Sequence, residues 1–161
     1  MKRIIFKTSN FLKSIIHKWL FTYDYDIVLQ EGAKIPTRVY PNDAGYDLYL
    51  CKGITVKAKE SCDLPTGVMM RNHIPSWLLM TGRSSTIIRY KLHVVMGIID
   101  GDYIGELYLQ VTNLSNKDVG FPPHFRVGQI IAMPHTTIRF HLKEKLKVKG
   151  RGYNGFGHTG Y

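Results

Sequence analysis

Three carboxylates, Asp100, Asp102 and Glu106, fall within seven residues of the stretch GIIDGDYIGE at 97–106. Gly97, Gly101 and Gly105 leave the backbone there free to bend and to admit a ligand closely. A carboxylate held at such a turn can take a proton from water, hold a metal ion, or merely solvate the turn. Asp-Gly is also ordinary hairpin-tip chemistry. Three further clusters carry cations and donors. Thr81-Gly82-Arg83-Ser84-Ser85 sets an arginine and two hydroxyls where a strand pattern gives way to a helical one, a junction whose N–H groups favour anions. Phe125-Arg126-Val127-Gly128-Gln129 leads one cation and one amide into an apolar run. The ending RGYNGFGHTGY offers the N–H groups of Gly152, Gly155, Gly157 and Gly160, with Arg151, His158 and Thr159 beside them, which describes a polyphosphate cradle. Phe156, set between two glycines, is suited to stack on a planar base. By composition alone the same ending reads as a disordered glycine-rich tail.

These groups need a scaffold, and the grammar from Tyr25 onward is that of short strands. The apolar and β-branched runs predict strands over 25–30, 37–40, 46–50, 54–58, 67–71, 76–81, 92–96, 106–112, 127–133 and 136–142, punctuated by Gly32, Pro36, Pro41, Gly53, Pro65, Pro75, Gly120 and Pro122-Pro123. Val94-Val95-Met96 enters the acidic stretch and Leu107 to Thr112 leaves it, so 97–106 reads as a hairpin tip. One short internal helix is expected from Ser84 to Tyr90, with Ser-Ser-Thr as its N-cap cluster. Strands so short and so evenly spaced imply an all-β barrel or sandwich.

The chain of 161 residues, 44% apolar and 21% charged, is long enough for one globular domain. Its net charge of +10 resides at the ends: residues 1–23 and 139–161 contribute +5 each, and 24–138 is neutral. Basic ends around a neutral body suit a small polyanion or a tether. They do not suit a DNA-binding face, and no stable nucleic-acid partner is expected. Cys51 and Cys62 form no CxxC pair and have no ligand-spaced histidine, which points to reduced thiols in an intracellular protein. Residues 1–23 stand apart as an N-terminal extension. Phe11, Leu12, Ile15, Ile16, Trp19 and Leu20 make the apolar face of a short basic amphipathic helix, open to reading as a membrane-surface or protein contact, an organelle-targeting leader, or a helix packed on the domain. No apolar run is long enough for a membrane span.

In order along the chain, AGYDL at 44–48, GRSS at 82–85, GIIDGDYIGE at 97–106, FRVGQ at 125–129 and RGYNGFGHTG at 151–160 resemble the five motifs of the trimeric deoxyuridine triphosphatases. The resemblance covers roughly residues 25 to 160. It implies a jelly-roll-like β-barrel over 24–149, a homotrimer with active sites shared between subunits, and a flexible arm over 150–161 that closes them. The implied reaction takes dUTP and water to dUMP and pyrophosphate, keeping uracil out of DNA. On the matching positions, Asp100 would activate the water and Tyr103 would pack under the deoxyribose. The backbone around Val94 to Gly97 would read the uracil edge. Arg83, Ser84, Ser85 and Gln129 would contact phosphates with Arg126 supporting them, and Asp47 would touch a Mg²⁺ cofactor through water. Arg151 would take the γ-phosphate, Phe156 would stack on uracil, and Gly157, His158 and Thr159 would close on the triphosphate.

The motifs also depart from the pattern. Gly82 stands where proline or alanine is usual before the arginine, Ser85 stands where glycine is common, and Pro122-Pro123-His124-Phe125 replaces a glycine-acid lead into Arg126. The GRSS form resembles the deoxycytidine triphosphate deaminases as well, which share the fold. Gln110 stands where those enzymes have their catalytic glutamate. A regulatory binding protein derived from the same fold is the other alternative.

Overall fold

The computed structural model describes residues 22–147. Ten strands and one helix follow in order: β1 (Tyr25–Leu29), β2 (Tyr46–Tyr49), β3 (Ile54–Val56), β4 (Ser61–Asn72), β5 (Ser76–Gly82), α1 (Ser84–Tyr90), β6 (Leu92–Val94), β7 (Gly97–Ile99), β8 (Glu106–Asn113), β9 (Val119–Phe121) and β10 (Arg126–Pro134). They form one sheet ordered β1-β4-β8-β6, a second ordered β2-β10-β5-β7, and a two-stranded ribbon of β3 and β9. All the pairings are antiparallel. This is the expected all-β jelly-roll-like barrel with one short helix among the described residues.

Alternation in β8 shows why the chain closes this way. Leu107, Leu109, Val111 and Asn113 point inward while Tyr108 and Gln110 face solvent, the period of a half-buried strand. Leu48, Leu64, Val68, Leu78, Met80, Val127 and Ile130 join them from both sheets in one core. The sheets touch at Gly128, where a Cβ would run into Leu109 and come within 2.8 Å of the Thr81 carbonyl oxygen. Asn113, fully buried, donates from Nδ2 to the carbonyls of Val56 and Lys117 at 3.1 and 2.8 Å, so its polarity is satisfied.

Several expectations need correction. Residues 37–40 are no strand: Thr37 makes a single bridge to Asp47, and the chain then turns, with the Tyr40 N–H donating to Asp43 Oδ2 at 2.9 Å. The Pro41-Asn42-Asp43 turn chemistry overrides the apolar run. Residues 136–142 join no ladder among the described residues, and Ile138, Phe140 and Leu142 are exposed there. β9 is an unexpected strand, its three residues being too short to carry a pattern. β4 is twelve residues long because Pro65 and Gly67 do not end it. The register shifts between Pro65 and Met69, Gly67 takes a φ of +65°, and its N–H donates to Glu106 Oε1 at 2.8 Å. A glycine bulge absorbs what reads as punctuation.

The stretch 97–106 is more than a hairpin tip. β6 and β8 do pair, and the Val95 N–H still donates to the Gln110 carbonyl at 2.9 Å. Beyond that point β7 leaves the first sheet and pairs with β5 of the second, Gly97 opposite Met80 and Ile99 opposite Leu78. The acidic turn is therefore anchored on both layers.

Candidate active site

Asp47, on β2, is buried at the centre of the first cluster. Its Oδ1 accepts from Arg83 Nε at 2.8 Å and its Oδ2 from an Arg126 terminal nitrogen at 3.2 Å. One carboxylate thus orients two guanidinium groups that arrive from the start of α1 and the start of β10, leaving their remaining donors free to turn outward. The unusual lead Pro122-Pro123-His124-Phe125 serves this arrangement. His124 adopts a φ of +63° with its N–H donating to the Leu50 carbonyl at 2.8 Å, and Phe125 packs against Phe121 and Tyr90. That turn delivers Arg126 to Asp47.

Gln129 lies beside Asp47 in register and donates from Nε2 to the Gly82 carbonyl at 3.2 Å. Gly45 leaves room for this side chain, since a Cβ there would lie 2.5 Å from Gln129 Oε1 and displace the amide. The helix spans Ser84–Tyr90 as expected, but its serines do not cap it. Arg83 is the N-cap and makes no side-chain cap bond, so Ser84 and Ser85 are the first helical residues rather than the cap. Asp47, Arg83, Ser84, Ser85 and Gln129 line one open cavity of about 390 Å³ with Arg38. Arg38 is a site residue that sequence reasoning missed, since 37–40 read as a strand. Its signal was a lone cation in a proline-flanked segment just before AGYDL. It stacks 5.0 Å over the Tyr46 ring and reaches the Asp43 carbonyl.

The second cluster is the acidic turn. The Tyr103 N–H donates to the Asp100 carbonyl at 3.1 Å, closing the turn, and Tyr103 Oη donates to the Glu106 carbonyl at 3.0 Å. Gly105 lies against that ring, where a Cβ would meet the phenol. Glu106, whose carboxylate holds the Gly67 N–H and the Tyr108 hydroxyl, is committed to the scaffold. The Glu106 carboxylate accepting that hydroxyl raises the Tyr108 pKa. Asp100 and Asp102 border an outer groove of about 940 Å³ with Arg71, His73 and His135. Val94 sits at the hairpin entrance, held 3.0 Å from where a Gly82 Cβ would be, so the glycine at this unusual position lets β6 close on β5.

One chain does not bring the two clusters together, and β5 is the ruler. Ile99 pairs with Leu78, so Asp100 lies near Trp77, while Arg83 follows the far end of the same strand. Six residues of extended chain span about 20 Å. Arg151, Phe156, Gly157, His158 and Thr159 lie outside the described residues, as does the N-terminal helix expected from Phe11 to Leu20. Cys51 and Cys62 are both free. Among the described residues, no three His, Cys, Asp or Glu side chains gather as a metal cage, and no helix is long and apolar enough to cross a membrane.

The deoxyuridine 5'-triphosphate nucleotidohydrolase of Fusobacterium nucleatum is 32% identical over 138 residues, covering 83% of this chain and 94% of that protein. The corresponding protein of Pectobacterium carotovorum is 34% identical over 137 residues, covering 78% and 86%. The fold is similar to that of the Staphylococcus bacteriophage 80alpha dUTPase solved with dUpNHpp, at a TM-score of 0.79 and 23% identity over 87% of this chain and all of that one. A family model for dUTPase matches from residue 31 to residue 160, a span that takes in both clusters and the strand between them, and it places this chain in the dUTPase family.

Proposed function

We propose that this protein hydrolyses dUTP to dUMP and pyrophosphate, as a homotrimer in which the acidic turn of one subunit faces the arginine cluster of another. The observation that carries the reading is the separation along β5. A base-and-sugar cluster and a phosphate cluster, each well formed, stand about 20 Å apart in one chain and need a second copy to meet. Ile98 and Ile104 around the turn, and Ile138, Phe140 and Leu142 beyond β10, are exposed apolar side chains that subunit contacts would cover.

In this mechanism Asp100 orients a water and takes its proton as the oxygen attacks the α-phosphorus. The bond from that phosphorus to the bridging oxygen breaks, and pyrophosphate leaves with the electron pair. Arg83, Ser84, Ser85 and Gln129 hold the phosphates, and Asp47 keeps Arg83 and Arg126 aimed at them. Positioning and charge stabilisation are most of what such a reaction needs from a protein. Tyr103, fixed by the Glu106 carbonyl, forms a floor for the sugar that leaves no room for a 2′-hydroxyl. The Val94 to Gly97 backbone reads the uracil edge. Arg151, Phe156, Gly157, His158 and Thr159 close over the bound nucleotide, and residues 1–23 lie outside this machinery.

The donor set suits Mg²⁺ carried largely by phosphate oxygens and water, with Asp47 as the outer contact, because each Asp47 oxygen already serves one arginine and, among the described residues, no three ligating side chains gather there. When bound, the ion would supply charge neutralisation on the leaving pyrophosphate. Asp100→Asn tests the reading: turnover should fall by about 10²–10⁴-fold while dUTP binding by calorimetry persists. Retained turnover would remove Asp100 from its role.

A further inference from the structure

Beneath the acidic turn lies a polar network that the mechanism above does not use. Ser76, at the start of β5, is 2% exposed. Its Oγ shares a 2.7 Å hydrogen bond with the Tyr25 hydroxyl of β1. Asn72, the last residue of β4, donates from Nδ2 to the Ser76 carbonyl at 2.9 Å and lies 3.2 Å from Ser76 Oγ. Tyr25 and Asn72 are paired across the β1–β4 ladder, so the network ties two strands of one sheet to the first residue of the other.

Gly101, the residue after Asp100, rests directly on this network. A Cβ at Gly101 would run into the Ser76 carbonyl and come within 2.8 Å of Asn72 Nδ2. Tyr25, Asn72 and Ser76 form one wall, and Asp100, Gly101 and Tyr103 another, of a cavity of about 10 Å³. That space holds no more than one water molecule, so the turn is seated on the network with no room to sink further. Tyr25 and Asn72 are half-buried and Ser76 is buried, so shifting the seat would leave the buried Ser76 oxygens without their partners.

We infer that Asn72, Ser76 and Tyr25 are positioning residues for Asp100, holding the Asp100–Gly101 turn so that the carboxylate stays at the place where it meets the attacking water. The inference rests on the reading of Asp100 as the base. None of the three side chains touches substrate in this arrangement. Their effect reaches the reaction only through the turn.

The test is a double-mutant cycle on the full chain with dUTP, read as kcat and KM, with folding followed by circular dichroism. Asn72→Ala should lower kcat by about 10²-fold, the usual cost of displacing a reacting group by about 1 Å, with KM moving less than about threefold. In the Asp100→Asn background the same substitution should cost little, because the group it positions is gone. Tyr25→Phe, which keeps ring and packing and removes one hydroxyl, supplies the second arm should Asn72→Ala fail to fold. It should lower kcat by about threefold to tenfold in the parent and leave Asp100→Asn unchanged. Equal losses in both backgrounds, a loss confined to KM, or no loss in the parent would overturn the inference. Full turnover by Asp100→Asn alone would instead overturn the assignment of the base itself.

Discussion

Mixing two inactive variants should restore activity. Asp100→Asn removes the base from one cluster and Arg83→Ala removes a phosphate cation from the other, and along β5 these positions are about 20 Å apart in any one chain. A water, a base and a triphosphate must meet within a few ångströms, so no single chain supplies both groups to one site. In trimers assembled at random from equal amounts of the two variants, half the turns keep Asp100 and half the arginine clusters keep Arg83. About one site in four then receives both from neighbouring subunits. Each variant alone should lie at least about 10²-fold below the parent; the random mixture should recover about a quarter of the parental rate, and hetero-oligomers freed of homotrimers, with about one competent site in three, about a third. Co-expression with two affinity tags, sequential purification of hetero-oligomers and a pyrophosphate-release assay make the measurement. Hetero-oligomers that contain both chains and show no recovery would refute the argument, since they would place Asp100 and Arg83 in the same subunit's site.

Two further outcomes follow from the ion pairs. Asp47→Asn leaves Arg83 and Arg126 facing each other without their shared counter-charge. At their partial exposure this should cost about 1–2 kcal/mol in urea unfolding and lower kcat/KM by about 10–10²-fold. An unchanged kcat/KM would show that the arginines need no orientation from Asp47. On the surface, Asp118 accepts from Lys57 Nζ at 2.8 Å and from the Ala58 N–H at 2.9 Å, and these bonds hold its pKa below the usual aspartate value. A lowered folded pKa gives stability that is present above the unfolded value, near pH 3.8, and is lost as pH falls through the folded one. The Tm difference between parent and Asp118→Asn should therefore be small at neutral pH, shrink further in high salt, and vanish toward acid. A difference that widens on acidification would contradict the assignment.

β8 was legible because it buries one face, and period two is then imposed by the core, while β10 was legible as an apolar run without strict alternation. Elements set by tertiary context were not. The bulge at Gly67 depends on Glu106, nearly forty residues away, so Pro65 could only read as a break and the strand as starting at Gly67. β9 exists because β3 pairs with it, and three residues carry no pattern of their own. The run 136–142 alternates well but joins no ladder among the described residues, which fits a surface completed by another copy. Site chemistry was more legible than geometry. Arg83, Asp47, Gln129 and Arg126 declare themselves by type and order, yet the single carboxylate that links the two arginines is a contact between β2, α1 and β10. Arg38 was hidden because its segment has an apolar rhythm that the Pro41 turn overrides.

The central claim is a dUTP-specific pyrophosphohydrolase. Purified full-length protein with Mg²⁺, given dUTP, dTTP, dCTP and UTP in parallel with a pyrophosphate readout, should release pyrophosphate from dUTP and hardly at all from the other three. Equal rates on dUTP and UTP, or no release from dUTP, would contradict it.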